Sequence, residues 1–428
     1  MNAERFWWIH PGKLTLFFVI PIYLFTVYLV PAAWPHILVL KGTNFLQGPF
    51  AMIGLVMLGL HGLGGLLGAR IAIGRPVRGT VEVSPLSLAG VGAVTILAYA
   101  IWFFPALLHP GMSLERSDLN RVAGITSFGQ MGVPFVVCYL YCQLTSQQAF
   151  SRLIRFQFWT ILLLTVIRVF LWRERLAAIE LFVPAVVVIL IYGTPKGFMR
   201  RLRPVMAIGG PYLAIPALIA VFTLTEYFRS WKTYAHTQSL SLVDFMTSRV
   251  VTYYFTALNN GVGLLATRAD EWPTYKFLYT ADWFYRLPAG IGSTFYTTFI
   301  GHGDPGGLFL TDFADPEFNN MSGIFPLIYD MGILGAGVYF LLFGFASGVL
   351  YRDMLRGRRL GGMFYPSVFV GCLEILRGAY LNGTRVVLIF AGAVYLCACT
   401  RRRMPMGAPL PAEHEMFGFH AGRGNRPW

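Results

Sequence analysis

Charge is scarce in this sequence. Of its 428 residues, 13% are Asp, Glu, Lys or Arg, against about 25% in soluble domains. Acidic residues are the scarcer kind: 20 stand against 34 Lys and Arg, a net charge of +14. No soluble stretch interleaves a basic stripe with aromatics, so the excess does not read as a nucleic-acid surface. Cysteine is sparse as well. Cys138, Cys142, Cys372, Cys397 and Cys399 lie in or beside apolar runs, which implies neither a disulfide framework nor a cysteine metal site. There is no GxxxxGK[ST] loop and no GxGxxG after a strand, so an energy-coupling nucleotide domain is excluded. No internal repeat is visible, which counts against transporter folds built from repeats.

Apolar length is abundant. Hydrophobic residues make up 56% of the chain, and mean hydropathy is +0.58. Several runs reach about 20 residues, enough to cross the hydrocarbon core of a bilayer as a helix. In lipid only helices or closed barrels satisfy their backbone groups, and unalternating runs of this length specify helices. The expected fold is therefore all-α, a polytopic integral membrane protein. Ten spans are expected, near residues 14–34, 47–69, 86–108, 124–146, 154–171, 176–194, 205–226, 322–351, 362–378 and 386–400. Arg5 and Lys13 ahead of the first run have the look of a signal peptide. The run's length and the spans that follow favour an uncleaved first helix instead.

Lys and Arg set the orientation. Every alternate short connection is basic, from Arg5 and Lys13 through Arg70, Arg75 and Arg78 to Arg401, Arg402 and Arg403. That side is expected to be cytoplasmic, with both termini on it. The chain then divides into residues 1–226 with seven spans, 227–321 as one large extracytoplasmic loop with short helices, and 322–400 with three spans. Residues 401–428 form a cytoplasmic tail, rich in Pro and Gly and without apolar period, expected to be disordered.

The loop between the seventh and eighth spans is the one segment large enough to build a site outside the bilayer. A lipid-linked substrate would need cations at the interface, a base for the acceptor and a wet aromatic groove. Arg173 and Arg175 sit in the outward turn Trp172-Arg173-Glu174-Arg175, against the orientation bias. Guanidinium holds phosphate oxygens bidentately, and a helix N-terminus at the same turn adds to anion binding. Snorkelling arginines, one neutralised by Glu174, are the competing reading. Arg168, Arg249, Arg268, Arg286, Arg377 and Arg385 are further outward cations. Arg377 is placed to pair with Glu374 one turn earlier.

Candidate bases are Asp282, His302, Asp304, Asp312, Asp315, Glu317 and Asp330, because a carboxylate or imidazole can take a hydroxyl proton. Spacing does not choose among them. His302, Asp304 and Asp312 match no metal-ligand pattern, and no metal site is expected. Tyr and Trp crowd the loop, among them Tyr253, Tyr254 and Trp283. Their flat rings suit sugar faces and equally suit a membrane interface. Residues 240–265 read as an amphipathic helix. Gly344-xxx-Gly348 allows close helix packing.

The stretches SRVVTYYFTALNNG (Ser248 to Gly261) and FNNMSGIFPLIYDMGILGAGVYFLLFGFASGVLYR (Phe318 to Arg352) resemble the Wzy-type oligosaccharide repeat-unit polymerases of bacteria. The Arg-initiated helix from Arg173 to Glu180 is similar too. The resemblance implies a GT-C-like membrane glycosyltransferase of the bacterial inner (plasma) membrane, working without nucleotide sugar, metal or other cofactor. Its substrate would be an undecaprenyl-pyrophosphate-linked oligosaccharide, polymerised during O-antigen or exopolysaccharide synthesis. Membrane lipid and a chain-length regulator protein would be its partners. In matching positions, Arg173 and Arg175, and after them Arg249, would hold pyrophosphate, with Arg286 as a further outward cation for the same role. The resemblance fixes no base; among the loop residues His302, Asp304 and Asp282 are the candidates, and Tyr253, Tyr254 and Trp283 are the candidate platform for the glycan. A lipid-linked oligosaccharide flippase and an O-antigen ligase are the rival readings.

Overall fold

A computed structural model describes residues 6–33, 43–71, 80–108, 124–172, 174–194, 197–226, 241–287, 291–301 and 303–403. The chain is mostly helical. Helix α1 spans Pro11–Ala32, with the His10 ring accepting from the Gly12 and Lys13 amides at its start. Then come α2 (Pro49–Arg70), α3 (Pro85–Leu108), α4 (Gly132–Ser146, after a 3-10 turn at Thr126–Met131), α5 (Arg152–Trp172), α6 (Arg175–Tyr192) and α7 (Gly197–Glu226). The polar stretch folds as α8 (Leu242–Thr267), α9 (Asp282–Tyr285), α10 (Ile291–Phe299) and α11 (Pro305–Phe313). The chain closes with α12 (Phe325–Leu355), α13 (Arg359–Glu374) and α14 (Thr384–Ala398). Among the described residues, α1, α2, α3 and α12 are long and apolar enough to cross a membrane. The apolar helices Leu176–Tyr192 and Thr384–Ala398 are shorter.

Among the described residues, the closest helix pair is α2 with α12. Gly54 lies against Phe325, Gly64 against the Leu341 carbonyl and Gly68 against the Phe345 carbonyl, so the two run parallel. A Cβ on Gly344 or Gly348 would run into the His61 or Gly65 carbonyl. The pair Gly344-xxx-Gly348 thus meets Gly64-xxx-Gly68. Small residues on both faces let backbones touch where lipid offers no hydrophobic drive to associate.

One element was not expected from the sequence. Strand β1 (Thr80–Val83) pairs antiparallel with β2 (Thr400–Arg403), with Glu82 opposite Arg401. Side chains complete the other edge of β1. Ser146 Oγ accepts from Val81 N at 2.8 Å and donates to Val81 O at 2.6 Å. The Gln148 amide does the same for Val83. Residues 401–403, expected as part of the tail, belong to β2, and residues 404–428 of the expected tail lie outside the described residues.

Helix α12 breaks once. Gly332 has φ 70° and ψ 174°, a left-handed conformation that costs glycine little. The carbonyls just before the break, of Tyr329 and Asp330, accept from Thr274 N (3.0 Å) and Tyr275 N (2.7 Å) of the polar stretch. The break is therefore capped by backbone and not left bare in an apolar setting.

Candidate functional site

The two stretches that carry the family resemblance pack on each other. Asn260 Nδ2 donates to the carbonyls of Phe318 (2.9 Å) and Asn320 (3.0 Å), and Gly261 lies against the Met321 carbonyl. Asn259 turns the other way. Its Oδ1 accepts from Phe45 N (2.7 Å) and Leu46 N (3.0 Å). The Asn260 amide thus ties Phe318 and Asn320 to α8, and residues 319–322 line a cavity.

The cavity has a volume of about 510 Å³, and its lining includes Tyr279, Asp282, Arg286, Tyr296, Asp304 and Arg377. Asn319, Asn320 and Ser322 add amides and a hydroxyl, and Gly383 also lines it. Gly383 immediately precedes α14, whose other end leads into β2. The cavity and the sheet thus stand about 22 Å apart, at opposite ends of that helix.

Asp282 opens α9, and Arg286 caps it one turn later. Arg286 Nε donates to Asp282 Oδ1 at 2.6 Å. Burial lifts the Asp282 carboxyl above its usual range and the Asp304 charge adds to that, with Arg286 only partly opposing. A carboxylate so raised is a better proton acceptor near neutral pH. Asp304 has a different task. It caps α11 by accepting from Gly306 N at 3.0 Å, and it accepts from Tyr279 OH at 3.1 Å. Burial, then the Asp304 charge, raises the Tyr279 phenol above its ordinary value, so it stays a donor.

Arg377 enters the cavity from the end of α13. Its Nε lies 2.5 Å from Glu374 Oε2, the pairing expected from their spacing. Its Nη1 donates to Tyr253 OH at 3.3 Å, with the guanidinium over the Tyr253 ring. Tyr253 thus backs the cavity through Arg377 and meets Tyr254 edge to face. Trp283 stands 38% exposed on α9. Arg249 is elsewhere: it pairs with Glu317 and lies between the rings of Phe245 and Phe318. Arg173 and His302 lie outside the described residues, and Arg175 is described as the first residue of α6.

Glu174 has partners far from it in the chain as well as near. It binds Arg168 at 2.7 Å and also Arg385. Burial favours the neutral carboxyl, but the two guanidiniums outweigh it and hold Glu174 below the usual carboxylate range. Arg385 Nε also stands 3.6 Å from Glu180 Oε1. The turn between α5 and α6 is therefore tied to Arg385, two residues from the cavity-lining Gly383.

A second cavity of about 470 Å³ includes Arg268, Glu271, Lys276 and Tyr329 in its lining, and Leu278 lines both cavities. Sequence reasoning found Asp282, Asp304 and Arg286, which the fold brings together. It passed over Asn319 and Asn320. Their signal was the doubled Asn a few residues ahead of the helix that opens with Phe325-Pro326, which can position polar groups only if the loop folds back.

No family model matches the chain, and no curated protein or solved structure matches it.

Proposed function

We propose that the chain is a multi-pass membrane glycosyltransferase of GT-C-like build. It joins undecaprenyl-pyrophosphate-linked oligosaccharide repeat units on the extracytoplasmic face of the bacterial plasma membrane, in O-antigen or exopolysaccharide synthesis. One observation carries this reading: a cavity in the polar stretch gathers two carboxylates, two guanidiniums and several phenols. Its position supports the topology of ten spans with both termini inside, because the opposite end of α14 is the basic one. The parallel course of α2 and α12 fits their places as second and eighth spans.

In this reading Asp282 is the base, since Asp304 is already engaged by α11 and Tyr279. An acceptor hydroxyl gives its proton to Asp282 while its oxygen attacks the anomeric carbon of the donor. The bond from that carbon to the pyrophosphate oxygen breaks, and undecaprenyl pyrophosphate leaves. The anomeric carbon turns cationic on the way, as in glycoside hydrolysis. Charge grows on the leaving pyrophosphate, where Arg286 and Arg377 stabilise the transition state more than the ground state. Arg173 and Arg175, which flank Glu174 in the sequence, are the reserve of cations for the diphosphate. A chain-length regulator would act from outside the cavity.

Gel profiles of surface glycan test this in cells. Asp282→Asn at wild-type protein level leaves single repeats and no long polymer. Normal-length polymer contradicts the proposal. Polymer made but left unattached would mark a ligase, and repeat units held inside would mark a flippase.

A further inference from the structure

Asp330 lies in the segment of α12 before the break, fully buried, and is itself given no chemical role above. Its two oxygens nonetheless receive four hydrogen bonds from one short turn. Oδ1 accepts from Leu278 N at 3.1 Å. Oδ2 accepts from Tyr279 N (2.7 Å), Thr280 N (2.7 Å) and Thr280 Oγ1 (2.9 Å). With the bonds from Thr274 N and Tyr275 N to the carbonyls beside the break, six hydrogen bonds fasten 274–280 to two residues of α12. The turn is stitched onward. Tyr279 O accepts from Asn382 Nδ2 at 3.1 Å, Tyr279 OH donates to Asp304, and Tyr285 OH donates to Lys276 O at 2.5 Å. Asp282 begins its helix two residues after Thr280.

We propose that Asp330 is the positioning residue of the site: by gripping residues 278–280 it sets both the Tyr279–Asp304 bond and the place of Asp282. The proposal rests on the functional reading above. It gives the break at Gly332 a purpose, since an unbroken helix would keep the Tyr329 and Asp330 carbonyls for itself. A buried carboxylate accepting four donors is also costly to remove, because each donor would be left unmade.

The test is the rate of polymer formation by the full-length protein in membranes, measured against pH. The variants are Asp330→Ala, Thr280→Val and Asp282→Asn. Misplacing a catalytic group by about 1 Å costs on the order of a hundredfold, and Asp330→Ala should show a fall of that size. Thr280→Val deletes one of the four bonds and keeps the shape, so about a fivefold fall is expected. Asp282 faces Arg286 on its own helix, Asp304 from α11, Tyr296 from α10, Tyr279 from the turn and Arg377 beyond α13. Releasing the turn exposes Asp282, so the acid limb of the profile moves to lower pH in both variants. A role confined to stability would lower the amount of active protein and leave that limb in place.

Wild-type rates and an unmoved limb in Asp330→Ala and Thr280→Val, with Asp282→Asn inactive, overturn the positioning role and leave the site standing. If Asp330→Ala fails to accumulate, Thr280→Val decides alone. Polymerisation by Asp282→Asn overturns the site itself, and the positioning role with it.

Discussion

At the scale of single residues, Glu174 shows how a charge can sit inside a helical bundle. Its carboxylate stands between Arg168 and Arg385, and Arg168 also lies 4.3 Å from the Trp102 ring centroid. Breaking a buried pair by removing one partner costs about 3–5 kcal/mol, because the charge left behind has no compensation. Glu174→Gln removes the carboxylate shared by Arg168 and Arg385 and leaves Glu180 beside Arg385. Its thermal unfolding in detergent should shift down by several degrees, and an unchanged midpoint would contradict the pairing. The folded-state Glu174 value lies below the usual one. Its contribution is therefore complete above the ordinary carboxylate range and is lost as pH falls through the folded value. Glu174→Gln should remove that acid-sensitive part of the stability profile. Little of this was legible beforehand. The sequence places Glu174 between Arg173 and Arg175, and the fold adds Arg168 and Arg385 as its partners.

Elements were more legible than contacts. A helix stands at each of the ten apolar runs, since length and unbroken apolarity act within one segment. Residues 240–265 also read correctly as helical, because α8 shows its amphipathic period. The sheet was not legible. Four residues, Thr80–Val83, carry too short an alternation, and their partners lie some 320 residues away. The Gly344-xxx-Gly348 signal pointed to close packing, and the structure supplies its partner on α2. That interface makes a prediction. Gly344→Ala drives a methyl into the His61 carbonyl and should cost about 1–3 kcal/mol by overpacking. Gly59→Ala, with nothing within 4 Å of the added Cβ, should cost nothing. Comparing the two unfolding midpoints checks it. Equal midpoints would mean that α2 and α12 do not touch as described.

For the whole molecule, the account requires the cavity and the sheet to face opposite compartments. Thr298 on α10 and Ser151 before α5 are both exposed. In intact cells a membrane-impermeant maleimide should label Thr298→Cys and spare Ser151→Cys until the membrane is opened. The native cysteines add little background. Cys138, Cys142, Cys372 and Cys397 are buried, and Cys399 lies at the sheet end. Labelling of Ser151→Cys from outside would reverse the orientation.

The same scale holds the most direct measurement. Purified protein in liposomes is given undecaprenyl-pyrophosphate-linked repeat units, with no nucleotide sugar present, and the products are resolved by length. The account predicts a ladder from the wild type and only unjoined repeats from Asp282→Asn. A ladder of equal length and rate from Asp282→Asn, or no ladder from the wild type, would contradict it.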